Sequence, residues 1–264
     1  FDLLNRCAAM KFKLPGVKSI TVGMGTLSLT LRRTFKLLNI PILRCYGRTE
    51  AVWSLAMDSI DDANDIENTR SRPAAGVKCK VLDDQGDELE GPGLREGPLA
   101  VTGEAVFAQF FHPEKEVAAK ATRHSLRGTW LYTEEIARLE GEGDELSIAV
   151  LGRATDMLLV EGSYLSPRRI DDAAAGLPGV LEAAGFVRLD KQGERSFACA
   201  VVREGKNSSE QEILAALKKK LATRFHPTGV FFVERIPRDA FGSVIRYSLQ
   251  RQLSKLDPGQ RTHD

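Results

Sequence analysis

Residues 18–46 fix a parallel sheet, because two strand-like runs there are separated by a helical one. KSITVGMG (18–25) is a short β-rich run ending in glycines, LSLTLRRTFKLLN (27–39) carries apolar residues at helical spacing, and IPILRCY (40–46) is a second apolar run. Strands joined through a helix lie side by side in the same direction. From about residue 76 the texture changes: GVKCKVLDDQGDEL, GPLAVTGEAVF and IARLEGEGDELSIAVLG (136–152) read as antiparallel ribbons, with DQGD and EGEGDE as turns. Beyond Gly152, short strands around 157–165 lead to a helix from Pro167 to about Ala175, with Pro167 suited to a first turn. Strands follow at about 181–189 and 196–203. In NSSEQEILAALKKKLATRF, Ser208 or Ser209 with Gln211 or Glu212 forms a capping box, and Ile213, Leu214, Leu217 and Leu221 share a face. GVFFVERI is a strand and VIRYSLQRQLSKL a closing helix.

The expected fold class is α/β with α+β. Residues 1–75 form the end of a parallel βαβ sheet, 76–152 a small antiparallel β-barrel or ribbon subdomain, and 153–264 a C-terminal α+β domain.

Bulk properties exclude several functions. Lys and Arg number 37 against 36 Asp and Glu, a net charge of +1, so no global field draws the chain to nucleic acid or an anionic membrane. No apolar stretch approaches the ~20 residues of a membrane span. The run Lys218, Lys219, Lys220 reads as a solvated helix face. Cys7, Cys45, Cys79 and Cys199 are scattered, as are the four histidines, which fits reduced thiols in a cytoplasmic protein better than disulfides or zinc. The opening FDLLNRCAAMKFK has no initiator Met and no secretory layout, so the expectation is a chain that begins inside a larger fold.

RCYGRTEAV (44–52) concentrates an aromatic ring, a glycine, a cation, a hydroxyl and a carboxylate at a strand end. Read locally, this is a helix start, with Thr49 as N-cap and Glu50 in the first turn. Five stretches in order widen that reading: VGMGTLS (22–28), YGRTE (46–50), TWLYTEEIARL (129–139), GRATDMLLVEGSYLSPRRID (152–171) and PRDAFGSVIRYSL (237–249). In this order and at these separations they resemble the adenylate-forming enzymes: acyl- and aryl-CoA synthetases, peptide-synthetase adenylation domains and luciferases. The resemblance covers residues from about 15 to 253 and corresponds to the end of that family's large domain plus its small mobile C-terminal domain.

The resemblance implies that a carboxylic acid is activated with ATP and Mg²⁺ to an acyl-adenylate, then passed to a thiol of CoA or of a carrier protein. It places Tyr46 on adenine, Thr49 on phosphate and Glu50 on the metal, with Gly47 letting the backbone come close. Gly23 and Gly25 would line the other side of the adenine slot, although Thr26 stands where the family has Pro. Glu135 would clasp the ribose in place of the family's shorter Asp, beside Thr133 and Glu134, and Arg153 would also reach the nucleotide. Thr155 and Asp156 fall at the hinge, and Gly162 at a close backbone approach. Trp53 is either a pocket floor or ordinary core.

Two departures stand out. The family's C-terminal PxxxxGKxxR motif reads PRDAFGSVIR here, with Ser243 replacing the catalytic lysine while Pro237, Gly242 and Arg246 hold their places, and Lys255 is three helical turns on. No Ser/Thr/Gly-rich phosphate loop occurs in these residues. The chain alone is therefore expected to be inactive in adenylation. It is either a partial or divergent acid–CoA ligase-like protein or a degenerate nucleotide-, acyl- or partner-binding module of the same fold.

Overall fold

The computed structural model describes residues 16–23, 36, 39–51, 56–59, 71–190, 192–205, 208–240 and 242–254. The helix expected over 27–39, together with Cys7, Gly25, Thr26, Trp53 and Lys255, lies outside the described residues, apart from single positions in that helix. The chain divides into two compact units, Phe1–Ala154 and Thr155–Asp264.

In the first unit, β1 (Ile20–Val22) pairs in parallel with β2 (Ile42–Tyr46), the direction expected of these two runs. The sheet continues antiparallel through β3 (Ala56–Ser59) and β4 (Arg72–Pro73). The ribbons then follow: β5 (Lys78–Val81) pairs antiparallel with β6 (Arg95–Thr102), and β6 with the long β8 (Trp130–Glu140). The end of β8 carries β9 (Ser147–Arg153), and its start carries the short β7 (Leu126–Arg127), reached through helix α1 (Lys115–Ser125). Val81, Leu99, Val101, Leu131, Ala137, Leu139 and Ile148 form the core of this five-stranded sheet, with Ala51 and Tyr46 packed into it.

The second unit opens with the hairpin β10 (Leu158–Val160) and β11 (Ser163–Leu165). Glu161 and Gly162 between them have φ of 50° and 76°, the two left-handed residues of a tight hairpin turn. The close approach expected at Gly162 is not present among the described residues. A Cβ there would meet nothing within 4 Å, and glycine serves the turn instead.

Helix α2 (Arg168–Ala174) starts just after Pro167, and the three-stranded sheet runs β12 (Val180–Leu189), β13 (Arg195–Arg203), β14 (Val230–Phe232). β12 and β13 are antiparallel, and β14 is parallel to β13 through helix α3 (Glu210–Lys220). The capping box resolves to Ser209 and Glu212, each bonding the other's backbone N–H. Both faces of this sheet are buried. Phe197, Cys199 and Val201 face a cluster with Ile170, Ile213 and Leu217, while Ala198 and Ala200 face Leu249 and Leu253 of helix α4 (Arg246–Leu253). An apolar run without alternation is what a strand covered on both sides needs.

Among the described residues, Cys45, Cys79 and Cys199 are not in disulfides. Burial pushes Cys79 up to about 12, so its proton is held more tightly in the fold and stability falls as pH rises from the ordinary thiol range towards that value. No helix among the described residues is long and apolar enough to cross a membrane.

Candidate functional site

The site in the first unit is built on an irregularity in β8. Pro98 of β6 pairs with Ile136 and Ala100 with Tyr132, so Thr133, Glu134 and Glu135 together face Leu99 alone. Such a bulge bends the strand and re-aims side chains. Thr133 is wholly buried. Its hydroxyl donates to the Leu99 carbonyl at 2.9 Å and accepts from the Glu135 backbone N–H at 3.3 Å, which fixes the bulge from inside. Glu134 takes φ of 60° and its carboxylate lies 3.2 Å from His124 at the surface, so it points elsewhere.

A second bulge lies opposite. Ile136 pairs with Gly152 and Ala137 with Val150, leaving Leu151 as the extra residue. Gly152 has φ of 140°, a value suited to glycine, and brings Arg153 directly across from Glu135 on the neighbouring strand. Opposite charges at a directly paired position attract.

Against these bulges comes the end of β2. Tyr46, packed on the sheet core, donates its hydroxyl to the Glu135 carboxylate, 89 residues away in sequence. Burial, and then the adjacent Glu135 charge, hold the Tyr46 phenol well above its ordinary range, so it remains the donor. Gly47 and Arg48 lead into a 3-10 turn, Thr49–Ala51. The turn is anchored by Ala51 in the core and by the Phe107 N–H donating to the Glu50 carbonyl at 2.8 Å. Thr49 is exposed at its start. Gly23 follows the end of β1, the strand beside β2, and is half-buried.

Arg48, to which sequence reasoning gave no role, sits at the centre. Its Nε is 3.4 Å from Glu50 Oε2 and its Nη1 3.7 Å from Glu135 Oε2, and Nη1 also donates to the Thr133 carbonyl. Burial works against this charge, but Glu135 and then Glu50 outweigh it, so the guanidinium is held ionised. The signal was a cation two residues before Glu50 in a motif that otherwise matches, but its partners at 133 and 135 are invisible to local reading.

The family resemblance assigns Mg²⁺ to Glu50. Among the described residues no group of three or more His, Cys, Asp or Glu could hold a metal ion. A nucleotide-borne magnesium needs only one or two carboxylates, yet Glu50 already faces a guanidinium, which does not fit a divalent cation.

In the second unit, Ser243 closes a tight turn. Asp239 Oδ1 accepts from the Ser243 N–H at 2.9 Å, the Asp239 N–H donates to the Ser243 carbonyl at 2.9 Å, and Gly242 has φ of 84°. Ser243 is half-buried and carries no charge. Thr155 and Asp156 lie in a 3-10 turn, Ala154–Asp156.

Residues 169–242 match the family described as AMP-binding enzyme C-terminal domain. The chain is 27% identical over 258 residues to the medium-chain fatty-acid–CoA ligase of Escherichia coli K12, covering 97% of this chain and 44% of that protein. It is 26% identical over 255 residues to a 2-succinylbenzoate–CoA ligase of Bacillus cereus, covering 97% and 50%. The fold matches that of the Bacillus subtilis O-succinylbenzoate coenzyme A synthetase solved in complex with ATP and magnesium ion, with TM-score 0.74 and 24% identity over 94% of this chain and 50% of that one. The chain thus spans about half the length of the curated relatives it matches.

Proposed function

We propose, since this chain belongs to the adenylate-forming superfamily and contains that family's C-terminal domain, that its first unit seats the adenosine phosphate of a nucleotide in a divergent acyl- or aryl-acid–CoA ligase-like protein. The observation that carries this reading is the bond from Tyr46 to Glu135, which joins the two motifs that resemblance assigns to adenine and ribose. Tyr46 would offer its ring face to adenine, with Gly23 and Gly25 opposite. Glu135 and Arg153, paired across β8 and β9, would meet the ribose hydroxyls, and Thr49 at the mouth of its turn would donate to phosphate.

In the overall reaction, a carboxylate oxygen attacks the α-phosphorus of ATP, pyrophosphate leaves, and a thiol of CoA or a carrier protein then displaces AMP. The residues here supply binding and orientation. The step in which negative charge accumulates on the phosphorus lacks its cation, because Ser243 offers a hydroxyl within a closed turn. The proposed activity is therefore weighted towards holding a nucleotide or a supplied adenylate, with acid activation diminished. Ser243 also favours the second reading, a degenerate binding module of the same fold. Thr155 and Asp156 would serve as the hinge between residues 1–152 and the C-terminal domain.

Calorimetric titration with AMP tests the seat. Saturable binding is expected, and Glu135→Gln should weaken it about tenfold or more, since hydrogen bonds to a charged group contribute about 1.5–3 kcal/mol. Absence of binding to the unaltered chain, or indifference to the substitution, would refute the assignment.

A further inference from the structure

We propose that Arg48 occupies the place of a divalent cation at Glu50, so that this site takes a nucleotide phosphate without magnesium. The proposal rests on the nucleotide seat described above and adds to it the identity of the cation. The guanidinium is fixed from two directions: Glu50 on its own turn, and the Thr133 carbonyl and Glu135 carboxylate on the β8 bulge. Its side chain is 27% exposed and those of Glu50 and Glu135 are 19% and 18% exposed, so the three charges are partly withdrawn from water and weakly screened.

A divalent ion brought to Glu50 would have to settle beside this cation or evict it. Eviction would leave the Thr133 carbonyl without this donor and take a counter-charge from Glu135. Deprotonation offers no escape, because a guanidinium stays ionised at any working pH. The contacts named engage Nε and Nη1, while Nη2 carries two further N–H groups in the same plane. A planar fork of this kind suits phosphate oxygens. Arg48 would thus perform two of the tasks of a metal, neutralising Glu50 and offering positive charge to the phosphate.

The test uses AMP as ligand and Mn²⁺ as a paramagnetic stand-in for Mg²⁺, with the 264-residue chain. In the unaltered chain, AMP affinity is expected to be the same in Mg²⁺ and in EDTA, and electron paramagnetic resonance should show no Mn²⁺ retained with AMP. Arg48→Met should lower AMP affinity about tenfold or more in EDTA and gain bound Mn²⁺, which Arg48→Met/Glu50→Gln should lose again. Arg48→Lys, which keeps the charge, should still exclude Mn²⁺ and guards against a folding defect in the Met variant. Mn²⁺ retained by the unaltered chain through Glu50, or undiminished AMP binding by Arg48→Met in EDTA, overturns the inference and leaves the nucleotide seat standing. Failure of AMP to bind any variant removes both.

Discussion

Arg246→Met is expected to cost the second unit about 3–5 kcal/mol, the loss typical of breaking a buried ion pair from one side. Arg246 is 8% exposed at the start of α4. Its Nη2 lies 2.6 Å from Asp171 Oδ2, its Nη1 3.2 Å from Asp171 Oδ1, and Nη1 also donates to the Gly185 carbonyl. Asp171 Oδ1 in turn accepts from the Gly185 N–H at 2.6 Å. β12 is an edge strand, so these two side chains satisfy edge groups that the sheet leaves unpaired. Gly185 is needed because a Cβ there would lie 2.6 Å from the Pro167 carbonyl and 2.8 Å from Ile170 Cβ, so α2 sits directly on the strand backbone. Methionine fills the space but leaves Asp171 without its counter-charge and the Gly185 carbonyl without the Arg246 donor. Hydrogen exchange of the β12 and β13 amides should accelerate accordingly, and Arg246→Met/Asp171→Leu should recover part of the loss by removing the stranded charge. Unchanged exchange in the single variant would contradict this account of how α2, α4 and the sheet are tied.

Ser243→Lys is expected to raise acid-dependent ATP–pyrophosphate exchange by about 10²–10³-fold in the protein that carries this chain, the range associated with one well-placed charge-stabilising group. The local geometry favours the substitution. The turn is held by Asp239 and by backbone bonds, with none of those bonds made by the Ser243 hydroxyl, and it is left half-open to solvent. A lysine can therefore extend without disturbing the turn. The 264-residue chain by itself is expected to show no exchange. Strong exchange in the unaltered protein would remove the reading that Ser243 marks a weakened activation step. No gain in the Lys variant would mean that the deficit lies elsewhere.

What could be read from the residues follows the range of the interactions. Ser209 and Glu212 cap α3 over three positions, and the parallel pairing of β1 with β2 follows from element order alone. Helix α1 was not legible because KEVAAKATRHS buries none of its residues and its first turn has no side-chain cap, so neither periodicity nor punctuation announces it. The two bulges were equally hidden. Glu135 could be placed on ribose by resemblance, but its contact with Tyr46 depends on a register shift of β8 against β6 that no local pattern encodes. Arg48 was visible as an odd cation. Only the approach of residues 133–135, across 85 positions or more, shows that it ties the site together.

Photolabelling with 8-azidoadenosine monophosphate tests most directly whether the first unit seats a nucleotide. Trypsin cuts after Arg44 and Arg48, so Tyr46 is released in the short peptide Cys45–Arg48. Label concentrated in that peptide, competed by AMP and diminished by Glu135→Gln, is the expected result. Label dispersed over both units, or insensitive to AMP, would contradict it.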